Sequence, residues 1–178
     1  MSVMDKVQEL IEAPLSAAEL VVRYQDLCDN RCFANVPGKI EIDVWGRLVM
    51  TPPSYYHGLV QGRLCRSLAA LGGETGVETA IATATGLFVA DVTWASDQFI
   101  RAHLGEIALQ QAPEVCIEVV SPSNSRNELE GKTAAFLAAG AREVWIVYLK
   151  SKRCEFYGPQ GLTDRSNFAV DLSELFKQ

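Results

Sequence analysis

At 178 residues with 48% hydrophobic content, the chain is long enough for one domain with a sizeable core and too short for two of ordinary size. A formal net charge of −6 argues against a protein held to nucleic acid or an anionic membrane by bulk positive charge, so any phosphate contact needs a local basic patch, a metal ion or a groove between two copies. The N-terminus has no basic stretch followed by an apolar one, and no apolar run approaches the ~20 residues that span a bilayer, so the expected protein is soluble, unexported and cytoplasmic.

Residues 5–12 read as a short helix ended by Pro14. Ser16-Ala17-Ala18-Glu19 has capping-box spacing, and Leu20, Tyr24, Leu27 and Cys28 follow at helical intervals. Residues 1–36 are therefore expected to form a helical cover rather than a site. Ile40 to Val44 alternates apolar and acidic residues, and Arg47 to Thr51 follows across Trp45-Gly46, which predicts a β-hairpin stopped by Pro52-Pro53. Its alternation places Glu41 and Asp43 on one face; Asp43 suits a solvated position, while Glu41 stays open.

Tyr55 to Leu71 is the next helix, with Val60, Leu64, Leu68 and Leu71 as its core stripe and Gly72-Gly73 as its end. His57 lies one turn before Val60, and a lone histidine beside an apolar stripe is ordinarily a satisfied structural residue. Val77, Thr79 and Ile81 mark a strand over Gly76 to Ala82, and Leu87 to Trp94 marks a second, apolar except for Thr93 and one carboxylate, Asp91. Residues 95–111 read as a polar loop with a short helix, His103 and Glu106 facing solvent. Val115 to Val120 is a β-branched run closed by Ser-Pro-Ser-Asn, the signature of a strand buried on both faces, and Glu118 interrupts it.

Ser125-Arg126-Asn127-Glu128 offers a second capping box for a helix ending at Gly140, with Leu129, Thr133, Phe136 and Leu137 as its buried stripe and Lys132 leaving from the stripe's edge. Glu143 to Leu149 and Arg153 to Tyr157 form a hairpin, and Leu172, Leu175 and Phe176 dock near the C-terminus. The order predicts an α/β (α+β) domain over 1–178, a mixed sheet flanked by helices, in which Val115 to Leu149 is a parallel strand–helix–strand crossover. The five cysteines, Cys28, Cys32, Cys65, Cys116 and Cys154, are dispersed and read as reduced core residues, without the paired spacing of a structural zinc site.

Asp91 and Glu118 carry the chemistry. An unpaired carboxylate in a buried strand costs several kcal/mol, so Glu118 must be protonated, paired with a cation or bound to a metal. Lys132 is the nearest candidate cation. If the two strands are neighbours, Asp91 and Glu118 converge, and a hard divalent cation such as Mg²⁺, which takes one or two carboxylates and keeps several waters, relieves their repulsion. A lysine beside such a site suits phosphodiester hydrolysis. The bland alternative, a structural Glu118–Lys132 pair with Asp91 as a strand-end acid, stands beside it at even weight. No phosphate-binding loop, dinucleotide fingerprint, zinc-protease helix or nucleophile elbow is present.

At these residues the chain resembles the Uma-type restriction endonuclease family of the PD-(D/E)XK nuclease superfamily. The likeness runs from about Gly38 to Tyr157 and rests on Glu41 with Gly46-Arg47-Leu48-Val49-Met50 and Pro52-Pro53, on His57, on Ala90-Asp91-Val92, on Ile117-Glu118-Val119-Val120-Ser121-Pro122-Ser123-Asn124, on Glu128 and Lys132, and on Ala139-Gly140-Ala141-Arg142-Glu143-Val144-Trp145. It implies a restriction-endonuclease-like fold with a nuclease core over 38–157. It also implies Asp91 and Glu118 as ligands of Mg²⁺, with Mn²⁺ as substitute, and DNA as substrate. Lys132 resembles a displaced counterpart of the superfamily lysine, whose usual position, two residues after the Glu, is here Val120. Glu41 and His57 match positions that complete the site. Ala90 stands where a proline usually precedes Asp91, and the turn after Glu41 lacks the usual Asp-Gly-Glu.

Three functional readings remain open on the sequence: a Mg²⁺-dependent endodeoxyribonuclease, for which a homodimer would suit a duplex substrate; a non-catalytic member that keeps the fold as a binding or oligomeric scaffold; and a hydrolase of another phosphoester.

Overall fold

The computed structural model describes residues 13–33, 38–51, 54–122 and 124–177; the helix expected over 5–12 and the Pro52-Pro53 stop lie outside them. Ser16 caps helix α1 (Ala17–Asp29) with the full box: its hydroxyl accepts from the Glu19 amide at 3.3 Å, and the Glu19 carboxylate accepts from the Ser16 amide at 2.8 Å. Ser54, Ser96 and Ser125 cap α2 (Tyr55–Leu68), α3 (Asp97–His103) and α4 (Arg126–Ala138) through the hydroxyl alone. The second box is thus incomplete, because the Glu128 carboxylate accepts from the Asn124 side-chain amide at 2.9 Å instead.

The strands are β1 (Lys39–Asp43), β2 (Leu48–Thr51), β3 (Glu74–Thr83), β4 (Gly86–Ala95), β5 (Val115–Val120), β6 (Glu143–Tyr148), β7 (Arg153–Gly158) and β8 (Gly161–Thr163). Their order in the sheet is β2-β1-β4-β5-β6-β7-β8, with β3 also on β4. β5 and β6 pair in parallel through the α4 crossover, and the other pairs are antiparallel. This is the expected mixed α/β fold, a sheet flanked by helices. Strand β8, three residues long, carries too little pattern to be read from sequence.

β4 organises the sheet around an opening. β3 pairs with it along its whole length, so β1 and β5 must share its other edge; β1 reaches only Gly86 and Leu87, and β5 only Val92 to Trp94. Residues 88–91 therefore face a gap where β1 and β5 diverge. The two-residue alternation of β4 also slips there: Phe88 and Ala90 pack in the cluster beneath α4, whereas Val92 and Trp94 pack in the cluster beneath α2. Opposite the slip, Glu78 has φ of 51°, a left-handed conformation uncommon outside glycine, and Glu78–Asp91 is the pair missing from an otherwise continuous β3–β4 register.

Both faces of the sheet are covered. Val60, Leu64 and Leu68 of α2 bury against Val115, Ile117, Val119, Trp145 and Val147, while Leu129 and Phe136 of α4 bury against Cys116, Val144 and Ile146. Each fully buried side chain of this size stabilises by roughly 1.5–3 kcal/mol. Leu20 anchors α1 on Ile42, Leu87 and Val89. Three expectations are corrected. Lys132 lies within the buried stripe, at 3% exposure, and Leu137 is only partly buried. Among the cysteines Cys116 is buried, but Cys28, in the last turn of α1, and Cys32, in the 3₁₀ turn that follows it, are exposed.

Candidate active site

Strand alternation aims two acids at α4. In β1, Ile42 packs with α1, so Glu41 points to the opposite face; in β5, Ile117 and Val119 pack with α2, so Glu118 also faces α4. Lys132 arrives between them from α4, its Nζ donating to Glu41 Oε1 at 2.8 Å and to Glu118 Oε2 at 3.4 Å. Asp91, at the slip in β4, accepts at Oδ2 from the Val119 amide at 2.7 Å and at Oδ1 from Lys39 Nζ at 2.8 Å. His57 Nε2, from the α2 side, stands 3.3 Å from the same Oδ1, and His57 Nδ1 lies 3.4 Å from Ser121 Oγ. The gap between β1 and β5 is what lets groups from both faces of the sheet meet.

Side chains, not a neighbouring strand, satisfy the backbone of β4 in this gap. The Val89 amide donates to Glu41 Oε1 at 2.9 Å, and the Val89 carbonyl accepts from Lys39 Nζ at 2.7 Å. Gln61 Nε2 donates to the Asp91 carbonyl at 3.2 Å and to Glu78 Oε1 at 2.9 Å. A buried amide or carbonyl left unpaired would cost about 1–3 kcal/mol, so Glu41 and Lys39 hold the opening in shape as well as carrying charge.

Asp91, Glu118, Lys132, His57 and Glu41 are thus brought together, each at most 6% exposed. The open question over Glu41 resolves to the core. Its strand neighbour Asp43 stays outside the cluster, tied to Arg47 and to the turn amides. Sequence reasoning missed Lys39. The available signal was its place two residues before Glu41 at the start of the same strand, which puts a cation on the face of an inward-pointing acid. The N-terminal segment is also more than a cover: Tyr24, Leu27 and Cys28 of α1 line a cleft of about 1020 Å³, with Tyr55, His57 and Gly58 of α2. Lys39, Glu78, Asp91, Glu118 and Lys132 form its charged part.

The environment separates the two carboxylates expected to act together. Burial pushes the Glu118 carboxyl up to about 7, and Lys132 and Lys39 only partly offset that. Burial also raises Asp91, but hydrogen bonds and charge from His57 and Lys39 outweigh it, and Asp91 ends below its ordinary value. For both lysines burial works against the charge, and the surrounding acids, Glu118 first, prevail and raise them. Asp91 is accordingly an anion at neutral pH, Lys39 and Lys132 are cations, and Glu118 sits near the balance point.

A mixed sheet opened at its central strand, with Asp, Glu and Lys gathered in the opening beside a cleft, defines a restriction-endonuclease-like protein. The chain belongs to the Uma2 family, described as "Putative restriction endonuclease", whose model matches residues 21–175. It is similar in fold to the crystal structure of a "putative nuclease belonging to DUF820" from Anabaena variabilis ATCC 29413, at 18% identity and a TM-score of 0.64, over 92% of this chain and 98% of that one. No curated protein sequence matches the chain.

Proposed function

We propose that the protein is a Mg²⁺-dependent endonuclease that hydrolyses DNA phosphodiester bonds, with Asp91 and Glu118 holding the metal and Lys132, Glu41 and His57 completing the site. The observation that carries this reading is Glu118 Oε1, a buried carboxylate oxygen without a hydrogen-bond partner among the described residues. An orphaned oxygen of this kind is costly in a purely structural ion pair and suited to a ligand that arrives later.

Restriction-endonuclease-like families generally use divalent metals. Among the described residues no three His, Cys, Asp or Glu side chains stand ready to hold an ion as they are, because two ammonium groups lie between the acids. The donor chemistry nevertheless fits: carboxylate oxygens, one of them unpartnered, are what a hard divalent cation takes. Such an ion, when bound, supplies Lewis-acid polarisation of a phosphoryl oxygen and a more acidic water. The chain's own groups do the rest. Lys132, fixed by Glu41, offers positive charge to the phosphate as negative charge builds on it, and His57, oriented by Asp91 and Ser121, is placed to carry a proton at the cleft.

The test is incubation of purified protein with plasmid DNA and Mg²⁺ or Mn²⁺. Cleavage that is abolished by chelator and by Asp91→Ala is expected; cleavage that persists in Asp91→Ala overturns the assigned site. A duplex has two strands to cut, so the reading includes a homodimer, checked by sedimentation with and without DNA. The scaffold reading draws on the net charge of −6 and on the self-neutralised cluster. Absence of divalent-metal binding at millimolar concentration would favour it.

A further inference from the structure

Lys39 is surrounded by oxygen atoms of acids and backbone. Its Nζ donates to Asp91 Oδ1 at 2.8 Å and to the Val89 carbonyl at 2.7 Å, and it lies 3.8 Å from both Glu41 Oε1 and Glu118 Oε2. Three carboxylates and one backbone carbonyl, from three different strands, converge on a single ammonium. The carbonyl is free to take part because neither β1 nor β5 pairs with β4 at Val89. All of these donors are hard oxygens, the set that Mg²⁺ and Mn²⁺ prefer.

Lys132 differs. It reaches the acids from the α4 side, and its own ammonium is hydrogen-bonded, among the described residues, to Glu41 and Glu118, at 3% side-chain exposure. Both lysines line the cleft, but Lys39 is 13% exposed and lies at the first position of β1, so its side chain has somewhere to go.

We propose that Lys39 is a built-in cation that occupies the divalent-metal position in the metal-free protein and is displaced into the cleft when the metal binds. The inference rests on the metal-dependent reading above. In the metal-free state the ammonium keeps three buried acids from repelling one another, so the site stays folded without an ion. Metal binding is then an exchange of one cation for another, which weakens the apparent affinity and places a freed ammonium beside a substrate phosphate. Lys39 is a positioning residue in the resting state and a phosphate-binding one after displacement.

Lysine acetylation by acetic anhydride, read by mass spectrometry on the wild-type chain with and without saturating Mn²⁺, tests this directly. The metal is expected to raise labelling of Lys39 about ten-fold, leaving buried Lys132 protected and exposed Lys150 and Lys152 unchanged as references. Calorimetry on Lys39→Met gives a second readout: removing the competitor tightens Mn²⁺ binding by about ten-fold or more. Manganese bound by the wild type with Lys39 still protected overturns the displacement and leaves the proposed activity standing. No manganese binding by either protein overturns both.

Discussion

Lys132 Nζ and Glu41 Oε1 meet at 2.8 Å, joining α4 to β1 across 91 positions of sequence, with neither side chain more than 6% exposed. The same Glu41 oxygen accepts the Val89 amide, so one carboxylate settles both a buried cation and a backbone donor in the gap of β4. Glu118 alone, at 3.4 Å, is a weaker partner for that ammonium.

Glu41→Ala is therefore expected to destabilise the protein by about 3–5 kcal/mol, because it leaves a buried ammonium with only its weaker partner Glu118 and an unsatisfied amide. Urea unfolding measures it. Lys132→Met combined with Glu41→Gln should cost clearly less than the sum of the single changes, since the pair acts as a unit. Removing the exposed Arg126–Glu130 pair on α4 should leave stability unaltered within error. Equal losses at both places would contradict the ranking.

Asp91→Asn and Glu118→Gln keep size and most hydrogen bonding while removing the charge that a metal needs. On the proposed activity each should lower the cleavage rate by about 10² or more, with circular dichroism unchanged. If either variant cuts at the wild-type rate, that residue is not a metal ligand.

The fold was legible in the chain to the extent that its elements are long and strongly patterned. The caps at Ser16 and Ser125, the alternation of β1 and the apolar runs of β4 and β5 announce themselves locally, and the two acids stand out because they violate those runs. What was hidden depends on pairing between distant segments. Lys39 becomes a site residue only because β1 stops short along β4, and Tyr24 and Leu27 become cleft walls only because α1 and α2 flank the same opening. The slip at Asp91 is invisible because both faces of β4 are buried, so apolar residues occur at odd and even positions alike.

Glu78 tests whether that slip matters. Its φ of 51° and its bond to Gln61 Nε2, which also holds the Asp91 carbonyl, tie a left-handed residue to the position of a site acid. Glu78→Val should cost about 1–2 kcal/mol, since a β-branched residue resists that backbone, whereas Glu78→Gly avoids the penalty. On the proposed activity, cleavage should fall in the valine variant at temperatures where it remains folded. Equal stability of the two variants would show that the strand relaxes freely at this point.

Glu143 supplies the clearest dependence on pH away from the site. It is 2% exposed and accepts from Trp145 Nε1 at 2.8 Å, Ser166 Oγ at 2.6 Å, and the Asn167 amide and side chain at 2.7 and 2.8 Å, fastening the C-terminal segment to β6. Burial raises its carboxyl, but those hydrogen bonds, Ser166 and Asn167 foremost, outweigh burial and leave it below the ordinary value. A folded-state value below the unfolded one, about 4.3, means the unfolded chain binds the proton more readily. Its contribution is therefore fully present above that range and is lost as pH falls through the unfolded value and on through the folded one. Glu143→Gln should destabilise the protein at neutral pH and flatten this part of the acid limb, measured by urea unfolding at a series of pH values. An acid limb as steep in Glu143→Gln as in the wild type would assign the pH dependence to other carboxylates.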